Sequence, residues 1–280
     1  MFYRRYIPVP PLDSLVGCLW YSEGLQGTHA QERLLPNGEA GIVFDLHDQP
    51  VQIYDPANPC PSAIYPAAVF CGARSDCFIL DTSRQERVIG IQFHPGGSLP
   101  FFPMPASEVA NDTYNLGDLW PVEAHLLREE MLAASAAEPN LAAGVATMFR
   151  ILERTLLSRL KSGWPLRPEI QFAVRQLSRP GTAIRIQHLA EQAGFSGRRF
   201  MEVFREQTGL SPKTFQRVRR FQQVLRMLHR GSDQAWASIA ADCGYFDQAH
   251  FIHDFRSFAG MTPGEYALAA TPHLNHVPLL

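Results

Sequence analysis

The sequence predicts an α+β protein of two domains, in which a β sandwich or partial barrel with helices precedes an all-α domain of seven helices. Three observations predict this class. Short apolar runs alternate with Pro and Gly over the first 120 residues, the second half repeats itself, and the halves differ in charge. A chain of 280 residues is also long enough for two separate cores.

Charge is distributed unevenly along the chain. Residues 165–268 hold 14 Lys and Arg against 9 Asp and Glu, whereas residues 1–164 hold 11 against 18, for a net charge of -2. A basic half beside an acidic half indicates that the basic half meets a polyanion.

Composition narrows the class of protein further. Hydrophobic residues make up 46% and charged residues 19% of the chain, which is typical of a globular protein. No apolar run has the length of a membrane span, and the first 21 residues lack the apolar core of a signal peptide. The five cysteines are odd in number and loosely spaced, which favours free thiols. We therefore expect a cytoplasmic protein with no membrane partner.

The first domain is predicted at residues 1–120, as a β-rich sensing or regulatory domain. Apolar runs bounded by turn residues predict strands at 41–46, 51–54, 78–81 and 88–93.

A helical dimerisation or linker region is predicted at residues 121–164. Its apolar residues recur every three or four positions, at Leu141, Val145, Met148, Leu152 and Leu156. Two readings of this stripe stay open, because it can form a homodimer interface or cover the protein's own sheet.

The second domain is predicted at residues 165–268, followed by a tail at 269–280. Its helices are expected at 169–178, 186–193, 197–207, 212–230, 235–242, 248–258 and 263–269. Side-chain oxygens suited to N-caps precede four of them, on Ser196, Ser211, Asp247 and Thr262. Proline is expected at the first helical position at Pro212 and Pro263, and left-handed glycine at the helix ends Gly209 and Gly260.

The most informative pattern is the repeat, in which residues 190–215 are echoed by residues 240–266. One extra residue enters the turn of the second copy, and the paired identities argue for duplication. Each copy reads as a helix-turn-helix unit, whose second helix lies in the DNA major groove.

The second helix of each copy has an apolar inner face and a polar outer face. The outer faces offer Arg198, Arg199 and Glu202 in the first copy, and Gln248, His250 and His253 in the second. Arginine can bond the O6 and N7 atoms of guanine, glutamine can bond adenine, and glutamate can accept from cytosine. The helix between the copies adds Arg217, Arg219 and Arg220 as expected phosphate contacts.

Residues 169–268 resemble the DNA-binding domain of AraC/XylS-type transcription regulators. The resemblance is carried by motifs such as Leu189-Ala190-x-x-Ala193-Gly194-Phe195-Ser196 and Gly244-Tyr245-x-Asp247-Gln248-x-His250-Phe251. It implies two helix-turn-helix units that contact an operator in duplex DNA, activation as the usual output, and RNA polymerase as a partner. Its base-facing positions fall on Arg198, Met201, Glu202, Gln248, Ala249 and His253, and Gly197, Arg205 and Arg256 complete the expected DNA-binding set.

This chain departs from the family pattern in the second domain. Glu202 and His253 stand where the family often has arginine, and Asp254 adds a negative charge nearby. Operator sequence is therefore not transferable.

The amino-terminal half resembles a poorly characterised β-rich domain of one branch of these regulators. Leu35-Pro-Asn-Gly38 and Phe93-His-Pro-Gly-Gly97 carry this looser resemblance, which implies sensing or dimerisation. Trp20, Arg33 and Arg74 are expected at the mouth of the barrel, where a small-molecule effector, anionic or aromatic, would bind.

Histidines in the first half raise a rival hypothesis, a cupin-like metalloenzyme fused to a DNA-binding domain. His29, His47 and His94, with Glu39, are suitable ligand types, but no His-x-His or helical His-x-x-x-His pair fixes two of them together. We therefore predict no metal, no cofactor and no catalytic residue. A pure dimerisation module is the third reading of this half.

Overall fold

Two antiparallel sheets form the amino-terminal domain. The computed structural model describes residues 2–24, 30–47, 49–56, 60–160, 166–179, 181, 184–230, 235–271 and 273–279. The strands, in chain order, are β1 Phe2–Tyr6, β2 Val16–Glu23, β3 Gln31–Leu34, β4 Gly41–Asp45, β5 Val51–Tyr54, β6 Pro61–Tyr65, β7 Ala68–Cys71, β8 Phe78–Asp81, β9 Arg87–Phe93, β10 Thr113–Asn115 and β11 His276–Leu279. One sheet has the order β1-β2-β9-β4-β7-β10 and the other β11-β3-β8-β5-β6. The predicted sandwich is confirmed.

Alternation along β2 assigns the two faces of the six-stranded sheet. Leu19 and Tyr21 are fully buried in the main core of the domain, whereas Trp20 and Ser22 line a cavity between the sheets. Because successive side chains of a strand point to opposite faces, one face of the sheet is packed and the other lines the cavity.

Helices cover the packed face of this sheet. They are α1 Leu116–Leu119, α2 Glu123–Ala136 and α3 Leu141–Arg159. The α3 stripe of Val145, Met148, Leu152 and Leu156 is completely buried in the same core as the sheet residues. The stripe therefore covers the protein's own sheet, and its use as a dimer interface is excluded by this packing.

The carboxy-terminal domain is all-helical. Its helices are α4 Pro168–Leu177, α5 Ile186–Gln192, α6 Gly197–Thr208, α7 Pro212–His229, α8 Trp236–Asp242, α9 Gln248–Ala259 and α10 Pro263–Ala269. Seven helices thus lie in the described part of this domain, as predicted.

Local signals set the ends of these helices as expected. Ser196, Ser211, Asp247 and Thr262 each accept a hydrogen bond from a first-turn amide. Gly209 and Gly260 end α6 and α9 at φ angles of 88° and 65°, in the left-handed region that glycine adopts without steric cost.

The tail departs from the prediction. Residues 276–279 form β11, which pairs with β3 of the amino-terminal domain, and Val277 is 1% exposed. The end of the chain thus belongs to the first domain's five-stranded sheet rather than forming a separate tail.

Candidate DNA-binding surface and regulatory cavity

Helices α6 and α9 present their polar faces to solvent. Phe200 and Phe204 of α6, and Phe251 and Phe255 of α9, are fully buried and anchor each helix to the domain core. The candidates on the opposite faces are all exposed: Gly197, Arg198, Arg199, Met201, Glu202, Arg205, Gln248, Ala249, His250, His253 and Arg256. Both helices therefore leave a face free for a partner.

Glu202 is engaged by the arginines of its own helix. Its Oε1 accepts from Arg198 Nε at 3.0 Å, and its Oε2 lies 3.6 Å from an Arg199 nitrogen. These contacts, the Arg198 hydrogen bond first, hold the pKa of Glu202 below its usual value. In this arrangement Glu202 occupies both Arg198 and Arg199.

Arg217 and Arg220 are partly buried and pair with groups of the second helix-turn-helix unit. Arg217 donates to the carboxylate of Asp254, which is 2% exposed, and Arg220 donates to the Gly244 carbonyl at 3.1 Å. The Arg220 guanidinium also lies 4.8 Å from the centre of the Tyr245 ring. The expected phosphate contacts of these two arginines are corrected, because both hold α7 against the second unit.

The same cluster of contacts changes the expectation that Asp254 adds a negative charge near the DNA-facing residues of α9. Its carboxylate is directed at α7 and paired, so its charge is removed from the solvent face of α9.

Arg219 forms an ion pair between the two domains. Its guanidinium donates to Glu39 Oε1 at 3.0 Å, and both side chains are about one-fifth exposed. Burial raises the pKa of Glu39, and the Arg219 charge opposes that rise. The expected phosphate contact of Arg219 is therefore corrected as well.

Other contacts fix the carboxy-terminal domain on the sheets. Gln222 of α7 donates to the carbonyl of Pro36 and to the side chain of Asn275, both at 2.8 Å. Arg33 donates to the carbonyl of Ala259 at 2.9 Å, at the carboxyl end of α9. Both α7 and the end of a candidate reading helix thus touch the first domain.

A cavity of about 500 Å³ lies between the two sheets. Its apolar lining includes Val43, Ile53 and Leu80, and residues 273–276 of the tail close one side. A volume of this size is in the range of small-molecule sites.

Two of the three predicted ligand residues lie at this cavity. Trp20 and Arg74 line it, whereas Arg33 does not, because its guanidinium is directed at α9. The expectation for Arg33 is corrected on that ground. Sequence reasoning missed Arg5 and the tail, since their place in the wall depends on strand pairing across long stretches of chain.

Phe246 was also missed on the DNA-binding side. It is 91% exposed in the turn before α9. The sequence pattern that could have identified Phe246 is the extra residue in that turn of the second copy of the repeat.

The candidate metal ligands do not converge. The described residues contain no group of three His, Cys, Asp or Glu side chains able to hold a metal ion. His47 pairs with Glu86 at 3.5 Å, Glu39 is bound by Arg219, and His29 lies outside the described residues.

Comparisons with known proteins match both halves of the chain. A helix-turn-helix domain model matches residues 189–269, and a model described as a domain of unknown function (DUF6597) matches residues 4–115. The chain carries an AraC/XylS-type helix-turn-helix domain. No helix in the described ranges has the length and hydropathy needed to cross a membrane.

Curated relatives match the second half of this chain. An uncharacterized HTH-type transcriptional regulator of Haemophilus influenzae is 32% identical over 90 residues, 32% of this chain and 30% of that protein. The HTH-type transcriptional activator RhaR of Yersinia pseudotuberculosis is 39% identical over 69 residues, 25% and 23% of the two chains. The chain therefore spans less than a third of each relative.

A solved structure shares the fold of this chain over both domains. Apo ToxT from Vibrio cholerae, as a single-residue variant, has a TM-score of 0.50 at 12% identity, covering 90% of this chain and 98% of that one. This likeness concerns the fold alone.

Proposed function

We propose that this protein is a sequence-specific transcription regulator, acting as an activator, that inserts α6 and α9 into successive major grooves of an operator. The observation that carries the proposal is the pair of exposed helices anchored by buried phenylalanines on one connecting helix. At 18 residues, α7 is about 27 Å long. Successive major-groove faces recur about every 34 Å. The length of α7 is therefore suited to separating α6 and α9 so that each enters one groove.

The exposed side chains that would contact DNA are divided unequally between the two helix-turn-helix units. The first unit offers the exposed arginines Arg198, Arg199 and Arg205, and the second offers Gln248, His253 and Arg256. Arginine makes charge-assisted bonds, and α6 carries three exposed arginines against one on α9, so α6 contributes more affinity than α9.

Control of this activity is assigned to the amino-terminal domain. The cavity is a site for a small-molecule effector, and the Glu39–Arg219 ion pair connects its wall to α7. The RNA polymerase contact and a cytoplasmic location follow from the same regulatory role. A homodimer would use a surface other than the buried α3 stripe.

The experiment is selection of bound duplexes from a random pool by the full chain, followed by anisotropy titration of the selected duplex at several salt concentrations. Neutralisation of six phosphates gives a slope of log K against log salt of about -5. Arg198→Ala should cost about 1–3 kcal/mol of binding free energy and relax base choice at one position. Arg219→Gln is the matched control, because its side chain faces Glu39, and it should leave the salt slope unchanged. A salt-independent affinity, or a pool without a common sequence, would contradict the proposal.

A further inference from the structure

Phe246 is an apolar side chain that the packing of the second helix-turn-helix unit does not use. It is 91% exposed, although it directly precedes Asp247, the N-cap of α9. An apolar residue at this position commonly packs on the fourth residue of the helix, here Phe251. Tyr245 makes that contact instead, since it is 6% exposed and its ring centre lies 5.4 Å from that of Phe251. The Phe246 ring is therefore left to solvent.

The residues on both sides of Phe246 are held in place. The Gly244 carbonyl accepts from Arg220 at 3.1 Å, and the Tyr245 amide donates to a carbonyl of α8 at 2.9 Å. The Asp247 carboxylate accepts from a first-turn amide of α9 at 2.7 Å. Because the backbone of the turn is fixed, the exposed ring loses little conformational freedom when a partner covers it.

The exposed ring stands at the amino-terminal end of α9. In helix-turn-helix proteins the first residues of the second helix contact base edges in the major groove. Gln248 and Ala249, the first two residues of α9, are exposed at the same end of the helix. Phe246 thus extends the surface that is proposed to meet the operator, and duplex DNA is the partner that this surface fits.

The chemistry around Phe246 favours contact with a base over contact with a phosphate. The Asp247 carboxylate already bonds the amide of His250 in the first turn, and its negative charge repels phosphate oxygens. A phenyl ring has no hydrogen-bond donor for a phosphate. In the major groove the C5-methyl group of thymine is an apolar target that phenylalanine can contact.

We propose that Phe246 contacts the C5-methyl group of a thymine in the half-site bound by α9, and so contributes to the choice of operator sequence. The inference rests on the operator binding proposed above and adds an apolar contact to the polar ones of α9. In the first unit a single residue, Phe195, separates Gly194 from the N-cap Ser196, and it packs against the domain core. The thymine contact is therefore expected in one half-site only.

The test uses the duplex that the full chain selects from a random pool, with each thymine replaced in turn by uracil. Uracil pairs as thymine does and lacks only the methyl group. Wild-type affinity should fall about fourfold at one or two positions of one half-site, as expected for the loss of a buried methyl group. The same replacements should leave the affinity of Phe246→Ala unchanged, because the contact is already lost in that variant.

Phe246→Ala should itself weaken binding to the thymine duplex by about tenfold. The slope of log K against log salt should stay the same, because the substitution removes no charge. Leu268→Ala is the matched control, since Leu268 is 92% exposed on α10, which follows the carboxyl end of α9. It should bind every duplex as the wild type does. Both side chains are exposed, so thermal melting of both variants should match that of the wild type.

The outcomes separate this inference from the proposed function. Equal operator affinity of wild type and Phe246→Ala, a uracil effect that persists in Phe246→Ala, or an equal loss in Leu268→Ala would overturn the thymine contact alone. Loss of transcription at unchanged operator affinity would also overturn it, and would assign Phe246 to a protein partner. If no duplex is bound under any condition, the proposed DNA-binding function fails and this inference fails with it.

Discussion

The Nε atom of Arg217 donates to Oδ1 of Asp254 at 2.8 Å and joins the connecting helix to the second candidate reading helix. Asp254 is 2% exposed, and Arg220 approaches its second oxygen at 3.9 Å. Two arginines that would otherwise be free for DNA are thus used to fix the angle between α7 and α9.

Asp254→Asn should lower the free energy of unfolding by about 1–3 kcal/mol, because it removes the buried carboxylate that pairs with the partly exposed guanidinium groups of Arg217 and Arg220. Urea unfolding of the full chain measures this. Arg256→Gln, on the exposed face of the same helix, should change it by less than about 0.5 kcal/mol. Unchanged stability with tighter DNA binding in Asp254→Asn would show instead that Asp254 repels the duplex.

Glu202→Gln should raise affinity for operator and unrelated duplexes alike, by about three- to tenfold at low salt. The change frees Arg198 and Arg199 from their intrahelical partner and removes one negative charge from the exposed face of α6. Anisotropy with both duplexes measures it, with Glu191→Gln on α5 as the control. A loss of operator affinity alone would mean that Glu202 reads a base.

Gly209→Ala should cost more stability than Gly194→Ala, although both glycines have positive φ. An alanine at Gly194 meets nothing within 4 Å and should cost about 1 kcal/mol. At Gly209 the new Cβ would lie 3.1 Å from the Ala73 side chain and 3.2 Å from the Ala106 carbonyl, which raises the cost to about 2–3 kcal/mol. Equal losses of unfolding free energy would mean that Ala73 and Ala106 move to accommodate the new Cβ at Gly209 without a measurable cost.

Acidification should lower the free energy of unfolding, in part through protonation of His273. Burial, followed by the nearby His276, holds the pKa of His273 below its usual value of 6.5, whereas Glu32 opposes the shift and His229 adds to it. The unfolded chain then binds more protons than the folded one, so this contribution is present above pH 6.5 and is lost as pH falls below it.

The measurement for His273 is the unfolding free energy of wild type and His273→Gln at about pH 8 and about pH 5.5. The variant should lose less stability on acidification than the wild type does. His125→Gln, on the exposed side of α2, serves as the control and should follow the wild-type pH dependence. A steeper loss in His273→Gln would reverse the assigned direction.

Features decided by short stretches of sequence were the ones that could be predicted. The cap at Ser196 and the glycine stop at Gly209 depend on residues within one helical turn, and the strand at 51–54 depends on alternation within four residues. The direction of an arginine on α7 depends instead on which domain packs against that face. The sequence therefore predicts a phosphate contact for Arg219, whereas its partner in the structure is Glu39, 180 residues earlier in the chain.

The tail was missed for a related reason. Pro278 lies inside β11, and proline argues against a strand unless the strand is at an edge. β11 is the edge strand of its sheet, which only the pairing with β3 reveals.

Pairing of β11 with β3 makes the helical domain an insertion within the β domain, since strands of one sheet precede and follow it along the chain. A domain held at both of its ends cannot swing on a single tether, so its movements are restricted to rotations that both attachments allow. The five-stranded sheet is complete only after residues 276–279 have been synthesised. Expression of the first half alone would leave β3 with an unpaired edge, a site for association with other chains.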